Sequence, residues 1–205
     1  MFIEQPARFM RWLYPHALWR MSPREKVVYL TFDDGPIPEA TPYILDVLDQ
    51  FQIKATFFMV GDNARKYPEL FEEVRRRGHS VGNHTYNHIG GLVWSSWKYL
   101  YNVHKAHLIL KTKLFRPPHG WMRVVQYRTM RMFGYKVVMW DLVTRDYSNR
   151  LAAQDVLDNV KRYARNGSII TFHDSLKSID KLKIMLPDAL QWLKDQGYEF
   201  RRIEE

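Results

Sequence analysis

The sequence predicts an α/β fold, and three observations carry the prediction. Short apolar runs of strand length alternate with stretches of helical period along most of the chain. Turn formers and polar residues follow the apolar runs, which is where a β-α unit places its loops. No linker, low-complexity tract or internal repeat interrupts the alternation, so the 205 residues read as one folded domain behind a short N-terminal segment. About seven β-α units result, enough to close a barrel, with an open doubly wound sheet as the alternative.

The first 26 residues stand apart from that alternation. Phe2, Phe9, Met10, Trp12, Leu13, Tyr14, Leu18, Trp19 and Met21 interleave with Arg8, Arg11, Arg20, Arg24 and Lys26. Aromatics mixed with arginine suit a segment lying at a membrane surface. They suit better a strap packed on the barrel exterior, with Pro15 interrupting any long helix, and the strap is the favoured reading. The first strand spans 27–32, and Asp33-Asp34-Gly35-Pro36 halts it in a turn. Thr41-Pro42 starts a helix, since proline is tolerated at the first helical position, and Ile44, Leu45, Val47, Leu48 and Phe51 form its apolar stripe. A strand at 55–60 precedes a helix over 68–77 that Gly78 terminates. A short strand at 79–82 leads into a histidine-rich loop, 83–91. Then follow a helix over 96–111, a strand at 114–115 and a helix over 122–133. The rest reads as strand 136–140, helix 153–165, strand 168–172, helix 181–196 and strand 199–203.

Composition narrows the chemistry. Cysteine is absent, which excludes disulfide scaffolds, thiolate metal sites and cysteine nucleophiles. Lys and Arg number 31 against 22 Asp and Glu, for a formal charge of +9. Such a surplus raises nucleic acid as a partner. The basic residues are spread over helices such as 123–131 and 161–165 with no recognised motif, so no nucleic acid is expected. Seven Trp lie within a 15% aromatic share, and aromatic faces often wall sugar clefts. There is no apolar run of about 18 residues to span a membrane. The N-terminus carries charge and proline where a signal peptide needs an apolar stretch, so a cytoplasmic location is expected.

Polar residues gather where strands end. Asp33-Asp34, 84–88, 116–120, 141–146 and His173-Asp174 each follow an apolar run, and a barrel would bring all five to one rim. Nitrogen and oxygen donors of this kind suit a hard-to-borderline metal. Zinc accepts two His and one carboxylate with a fourth position open, and iron(II) or manganese accept the same set. His84 and His88 are four apart, so one helical turn would put both imidazoles on one side. His79 starts its strand on the far side from that loop and reads as core, while His16, His104 and His107 read as surface or packing residues. Asn83-His84-Thr85 matches a glycosylation acceptor only by coincidence with a proposed ligand.

These stretches resemble the five motifs of the NodB-type polysaccharide deacetylases, carbohydrate esterase family 4. Thr31-Phe32-Asp33-Asp34-Gly35-Pro36 is similar to the first motif and His84-Thr85-Tyr86-Asn87-His88 to the second. Arg116-Pro117-Pro118-His119-Gly120 resembles the third, Trp140-Asp141 through Asp146-Tyr147 the fourth, and Ile170-Thr171-Phe172-His173-Asp174 the fifth. Family order and spacing hold from about Val27 to Ile203. The resemblance implies a distorted (β/α)7-type barrel, the NodB homology domain, over 27–205. It also implies removal of an N-acetyl or N-formyl group from an amino sugar. Asp34, His84 and His88 would hold one divalent metal, Zn2+ foremost, with Fe2+, Mn2+, Co2+ or Ni2+ as alternatives. That metal would activate water and polarise the acetamide carbonyl. Asp33 would be the base, held by Arg116, and His173 the acid that protonates the leaving amine, paired with Asp146. The backbone N–H of His119 would stabilise the oxyanion. Ile170 and Phe172 would shape the pocket for the acetyl methyl, and Tyr147 would line the groove.

Val143 replaces the second Asp that the fourth motif often carries, Tyr147 stands where Trp is usual, and His119 stands where Tyr or Phe is common. Asp141 is a candidate polar contact or a satisfied strand-end carboxylate, and Asp174 a loop anchor or substrate contact. None of these departures removes a metal ligand or the acid–base pair, so an active enzyme is expected. Two other functions compete with it: a catalytically silent sugar-binding barrel, and a cationic protein that binds nucleic acid or membrane. The expected substrate is an N-acetylated glycan or a lipid-linked amino sugar, met at the inner face of an anionic membrane through the N-terminal segment.

Overall fold

In the computed structural model, which describes residues 4–205 and so leaves Phe2 outside, the apolar runs form a parallel sheet. Its strands are β1 (Val27–Asp33), β2 (Thr56–Met59), β3 (Ser80–Asn83), β4 (Leu114–Phe115), β5 (Lys136–Val137), β6 (Leu142–Val143) and β7 (Ile169–His173). They lie in the order β5-β4-β3-β2-β1-β7-β6, a half-barrel of seven parallel strands, and β8 (Glu199–Phe200) pairs with the first residues of β1. Crossover helices α2 (Thr41–Gln50), α3 (Gly61–Lys66), α4 (Pro68–Arg76), α5 (Ser96–Leu110), α6 (Val124–Met132), α7 (Ala153–Tyr163) and α8 (Ile179–Asp195) cover the outside; a short α1 (Arg8–Leu13) precedes them all.

Period-two alternation sorts the strand residues into two layers. Val28, Leu30 and Phe32 of β1 join Ile170 and Phe172 of β7 in the core beneath α2, α7 and α8, where Phe32 stacks on Phe57 and Phe172 at 5.1 and 5.6 Å. Ile170 and Phe172 are fully buried there, so the expectation that they shape an acyl pocket is corrected: neighbours of His173 on a strand point to opposite faces. Tyr29, Val27, Phe58, Leu114, Val138, Ile169 and Ile203 fill the inside of the half-barrel. Above them the interior turns polar, with Thr31 bonded to Thr171 and the Arg116 guanidinium lying 4.2 Å from the Phe58 ring centroid.

Three elements differ from the pattern-based expectation. Residues 61–66 form α3, too short for a helical stripe to register. The run at 136–140 yields only a two-residue β5, and the two-residue β6 lies inside what reads as a single polar loop. Asp141 therefore precedes β6 while Asp146 follows it, on opposite ends of the sheet. Asp141 is buried and takes hydrogen bonds from Arg165, Arg11 and Ser168, so it is a structural anchor rather than a rim group.

The N-terminal segment does not lie on the barrel exterior but stitches the open side of the sheet. The Val143 N–H donates to the Glu4 carbonyl, and the Leu18 N–H and C=O bond the Val137 carbonyl and the Met139 N–H. Arg20 then bridges to Ser168 beside the start of β7. Met10, Tyr14, Ala17 and Trp19 are buried in a second core with Tyr99, Phe115, Tyr127 and Met139.

Candidate active site

The C-terminal ends of β1, β3, β4 and β7, with the turn after β6, meet at one rim. Asp33 ends β1 in register with His173 at the end of β7, so a carboxylate and an imidazole stand side by side on adjacent parallel strands. Asp34 follows with a φ of 88°, in the left-handed region that Asp tolerates better than most residues, which turns its side chain away from that of Asp33. The cis Gly35–Pro36 bond completes the turn, and a Cβ on Gly35 would fall 2.0 Å from the Asp174 carboxylate. Asn63, from α3, donates to the Asp34 carbonyl at 2.8 Å.

His84 and His88 converge by a coiled loop, not by the helical turn their spacing suggests. Thr85 and His88 have φ of 65° and 54°, and side chains supply the bonds that a helix would make internally. The Thr85 N–H donates to Asn83 Oδ1, the Tyr86 and Asn87 N–H groups donate to Asn102 Oδ1, and the Ile89 N–H donates to Thr85 Oγ1. The two imidazole centroids end 5.1 Å apart.

Asp34 Oδ1 lies 3.1 Å from His88 Nε2 and 3.6 Å from His84 Nε2, and one donor atom from each of the three residues falls within 4.8 Å of the others. The oxygen is buried, and among the described residues no hydrogen bond satisfies it. His84 Nδ1 lies 2.8 Å from the Arg116 carbonyl; donating its proton there leaves Nε2 as the lone-pair nitrogen facing Asp34. Burial holds the His84 imidazole well below its ordinary pKa, and so neutral. Burial would raise Asp34, but His88, His173 and His84 outweigh it and keep its carboxyl well below the usual range. An ionised carboxylate and two imidazoles around one orphaned oxygen fit a divalent cation.

Beside this triad, Arg116 is almost wholly buried and spends its donors on Asp33 Oδ1 and Thr31 Oγ1, both at 2.7 Å, and on the Met139 and Val138 carbonyls. Burial raises the Asp33 pKa against the pull of Arg116 and His173, which makes it a better proton acceptor than an exposed Asp. Opposite, His173 Nδ1 is 2.8 Å from Asp146 Oδ1, and the His173 N–H donates to Asp146 Oδ2. Burial opposes a charge on His173, yet the Asp146 contact and the carboxylates of Asp34 and Asp33 lift its pKa to about 9. Tyr147 packs edge-on against the His173 ring at 4.6 Å, and Lys181 holds the Asp146 carbonyl.

His119 has a φ of 60°, and its exposed ring sits 4.8 Å from His88. Its backbone N–H takes no part in the turn, whose bonds come from Gly120 and Trp121. Gly120 is required here: its φ is 75°, and a Cβ would fall 2.0 Å from the Trp140 ring. Asp174 is buried, accepts from Thr41 at 2.7 Å, and is pushed by burial up to about 7, which makes it an anchor for the β1 turn. A cavity of about 330 Å³ opens beside the triad, lined by Asp34, Val60, Asp62, Asn63, Asn87 and His88.

Asn63, Asn83, Asn102 and Thr31 hold the rim residues in place, a role that no motif assigns to them. The signal for Asn63 was present, because Gly61-Asp62-Asn63 is a sixth polar strand end. Asn102 lies on a helix face and gave none.

Residues 20–138 match the family profile described as polysaccharide deacetylase. A peptidoglycan-N-acetylglucosamine deacetylase of Bacillus cereus is 32% identical over 197 residues, covering 93% of this chain and 92% of that protein. A crystallised peptidoglycan N-acetylglucosamine deacetylase, in complex with an N-hydroxybenzamide, superposes with a TM-score of 0.85 at 31% identity over 94% of this chain and 93% of that one. A CE4 family pseudoenzyme of Bacillus anthracis superposes with a TM-score of 0.82 at 26% identity over 92% of this chain and 68% of that one.

Proposed function

The chain belongs to the polysaccharide deacetylase family, and from that premise we propose that it hydrolyses the N-acetyl group of amino-sugar residues in a glycan. The observation that carries the reading is the register of Asp33 with His173 next to the Asp34–His84–His88 triad, which sets a proton acceptor and a proton donor side by side. A divalent cation held by the triad would supply Lewis-acid polarisation of the acetamide carbonyl and a more acidic water. Zn2+ is the ion first expected in such a site, with Fe2+, Mn2+, Co2+ and Ni2+ compatible with the same donors.

The chain's own groups divide the remaining work. Asp33, its geometry set by Arg116, takes the proton of the attacking water. The free N–H of His119 stabilises charge developing on the carbonyl oxygen. An amine leaves only when protonated, so the step needs an acid that still holds its proton at neutral pH. His173, held charged by Asp146, has that state and gives its Nε2 proton to the departing nitrogen. Tyr147 limits the rotation of that imidazole.

Relatives named for peptidoglycan and for chitooligosaccharide deacetylation suggest the substrate class, an N-acetylglucosamine-containing chain. Acetate release from chitooligosaccharides, peptidoglycan and lipid-linked amino sugars tests it, with formate followed in parallel. Asp33→Asn is expected to lower turnover by about 10²–10⁴ while the metal stays bound. The pseudoenzyme among the structural neighbours makes a silent sugar-binding barrel the second reading. Metal-loaded wild type and Asp33→Asn that are equally inert on every substrate would establish that alternative instead.

A further inference from the structure

Charge and exposed apolar surface are both unevenly distributed, and they coincide. No Asp or Glu occurs between Glu73 and Asp141, while nine Lys and Arg fall between Gly78 and Trp140. Lys98, Lys105, Lys111, Arg123, Arg128 and Arg131 among them are exposed, and no carboxylate pairs with any of these six among the described residues. Among the described residues, twelve of the 15 exposed large hydrophobic side chains lie in the same stretch or in α1, and nine of them, all but Leu108, Met132 and Phe133, fall within 92–101, the start of α6 and α1. They include Val93 at 83%, Trp97 at 76% and Trp12 at 80% exposure.

The pieces are joined in space. Gln126 Nε2 and Arg123 Nη2 bond the carbonyls of Gly91 and Leu92, tying the 89–95 loop to the start of α6. Phe9 of α1 stacks on Trp121 at 6.0 Å, just before α6, and Trp97 packs beside Tyr101 on α5. In a β-α barrel the helix N-termini lie at the same end as the strand C-termini, so these first turns of α5 and α6 border the rim. The link to the site is direct: a Cβ on Gly90 would touch the His119 ring, which itself packs on His88.

Isolated exposed apolar residues need no explanation, whereas a run of them continuous with an active-site rim and backed by unpaired cations does. We propose that this face, built from 92–101, the start of α6 and α1, docks on an anionic lipid bilayer. The aromatic and aliphatic tips would enter the headgroup layer, and Lys98, Arg123 and Arg128 beside them would meet its negative potential. Two copies of the chain meeting through this face would bring like charges together, which argues against self-association. The catalytic mouth would then face glycan carried at, or close to, a membrane. Docking itself does not depend on the hydrolase reading, because the assay below scores lipid and not acetate.

Flotation of the full chain with phosphatidylcholine vesicles, alone or with phosphatidylglycerol, is the test. Anionic vesicles are expected to bind at least about tenfold better than neutral ones, with partial retention at high salt from the apolar contacts. Trp94→Ser/Trp97→Ser should reduce binding about tenfold or more, and Lys98→Glu/Arg128→Glu should do the same. All four side chains are solvent-exposed, and unchanged thermal melts would confirm that the variants fold. Val93→Ser provides a third, minimal change on the same face. Equal binding to neutral and anionic vesicles, binding unaffected by both double variants, a dimer that these variants dissociate, or binding to nucleic acid without binding to vesicles would each overturn the proposal.

Discussion

Asp33 and Asp34 are adjacent in sequence and opposite in environment. The first is clamped by Arg116 inside the half-barrel and titrates above the ordinary range because it is buried; the second faces three imidazoles and titrates below it. One backbone feature separates them, the positive φ of Asp34. Removing Arg116 should therefore do more than cost activity. Arg116→Met leaves a buried carboxylate and two buried carbonyls unpaired, and is expected to lower stability by about 3–5 kcal/mol, read from the urea midpoint at constant m. On the acid side, the turnover number should fall as pH rises through about 9, because His173 then loses the proton it must donate. Asp146→Asn removes the main charge holding that proton and should move the alkaline limb of the pH–rate profile downward, toward an ordinary histidine. The same pair carries a stability signature with a definite sign. A histidine whose folded pKa is raised stabilises the native state fully below its unfolded pKa of about 6.5, and the contribution disappears as pH rises through about 9. Thermal midpoints of wild type and Asp146→Asn should accordingly converge at high pH. A gap that is constant from pH 6 to 10 would contradict the assigned pairing.

At the scale of elements, loops rather than strands decide the site's geometry. The histidine loop is pinned by Asn83 and Asn102 from outside the motif, and the His119 turn depends on the space that Gly120 leaves for Trp140. Gly120→Ala is expected to cost activity through the displaced His119 N–H as well as stability, since both the left-handed φ and the Trp140 contact oppose a Cβ. The N-terminal strap is the other element whose role lies in its contacts. Tyr14 donates its hydroxyl proton to the Met122 carbonyl at 2.5 Å and accepts from the Met122 N–H at 3.1 Å, deep in the second core. Tyr14→Phe should destabilise by about 2–3 kcal/mol, because two buried backbone groups lose their partner. An unchanged denaturation midpoint would show that the strap contributes little. β6 and α3 were not visible as periodicity, because a two-residue strand and a six-residue helix are shorter than the windows over which a pattern can repeat.

For the whole molecule, the half-barrel has an open side between β5 and β6, and residues 4–21 close it from both directions. Truncation of residues 1–24 would thus expose two strand edges and the core around Met10, Tyr14 and Trp19. Such a variant is expected to aggregate or unfold at lower temperature, which is why substitutions at exposed positions, and not truncation, are the means of testing lipid contact. Net charge takes on a different meaning at this scale as well. A surplus of +9 spread over one dimension says little, but folding gathers an acid-free third of the chain onto one side.

The α/β class, the order of the longer helices and strands, four of the five polar strand ends and the grouping of Asp34 with His84 and His88 were legible in one dimension. Each depends on local properties: period, turn chemistry, and the kinds of atoms that a side chain offers. The directions of those side chains were not. Ile170 and Phe172 flank His173 within three residues and yet face the helices, Asp141 and Asp146 share a loop in sequence and sit at opposite ends of the sheet, and the strap closes an edge more than 100 residues away. These follow from which strands pair and in what register, and pairing is set by the combined burial and hydrogen bonding of the whole sheet, which no single segment contains.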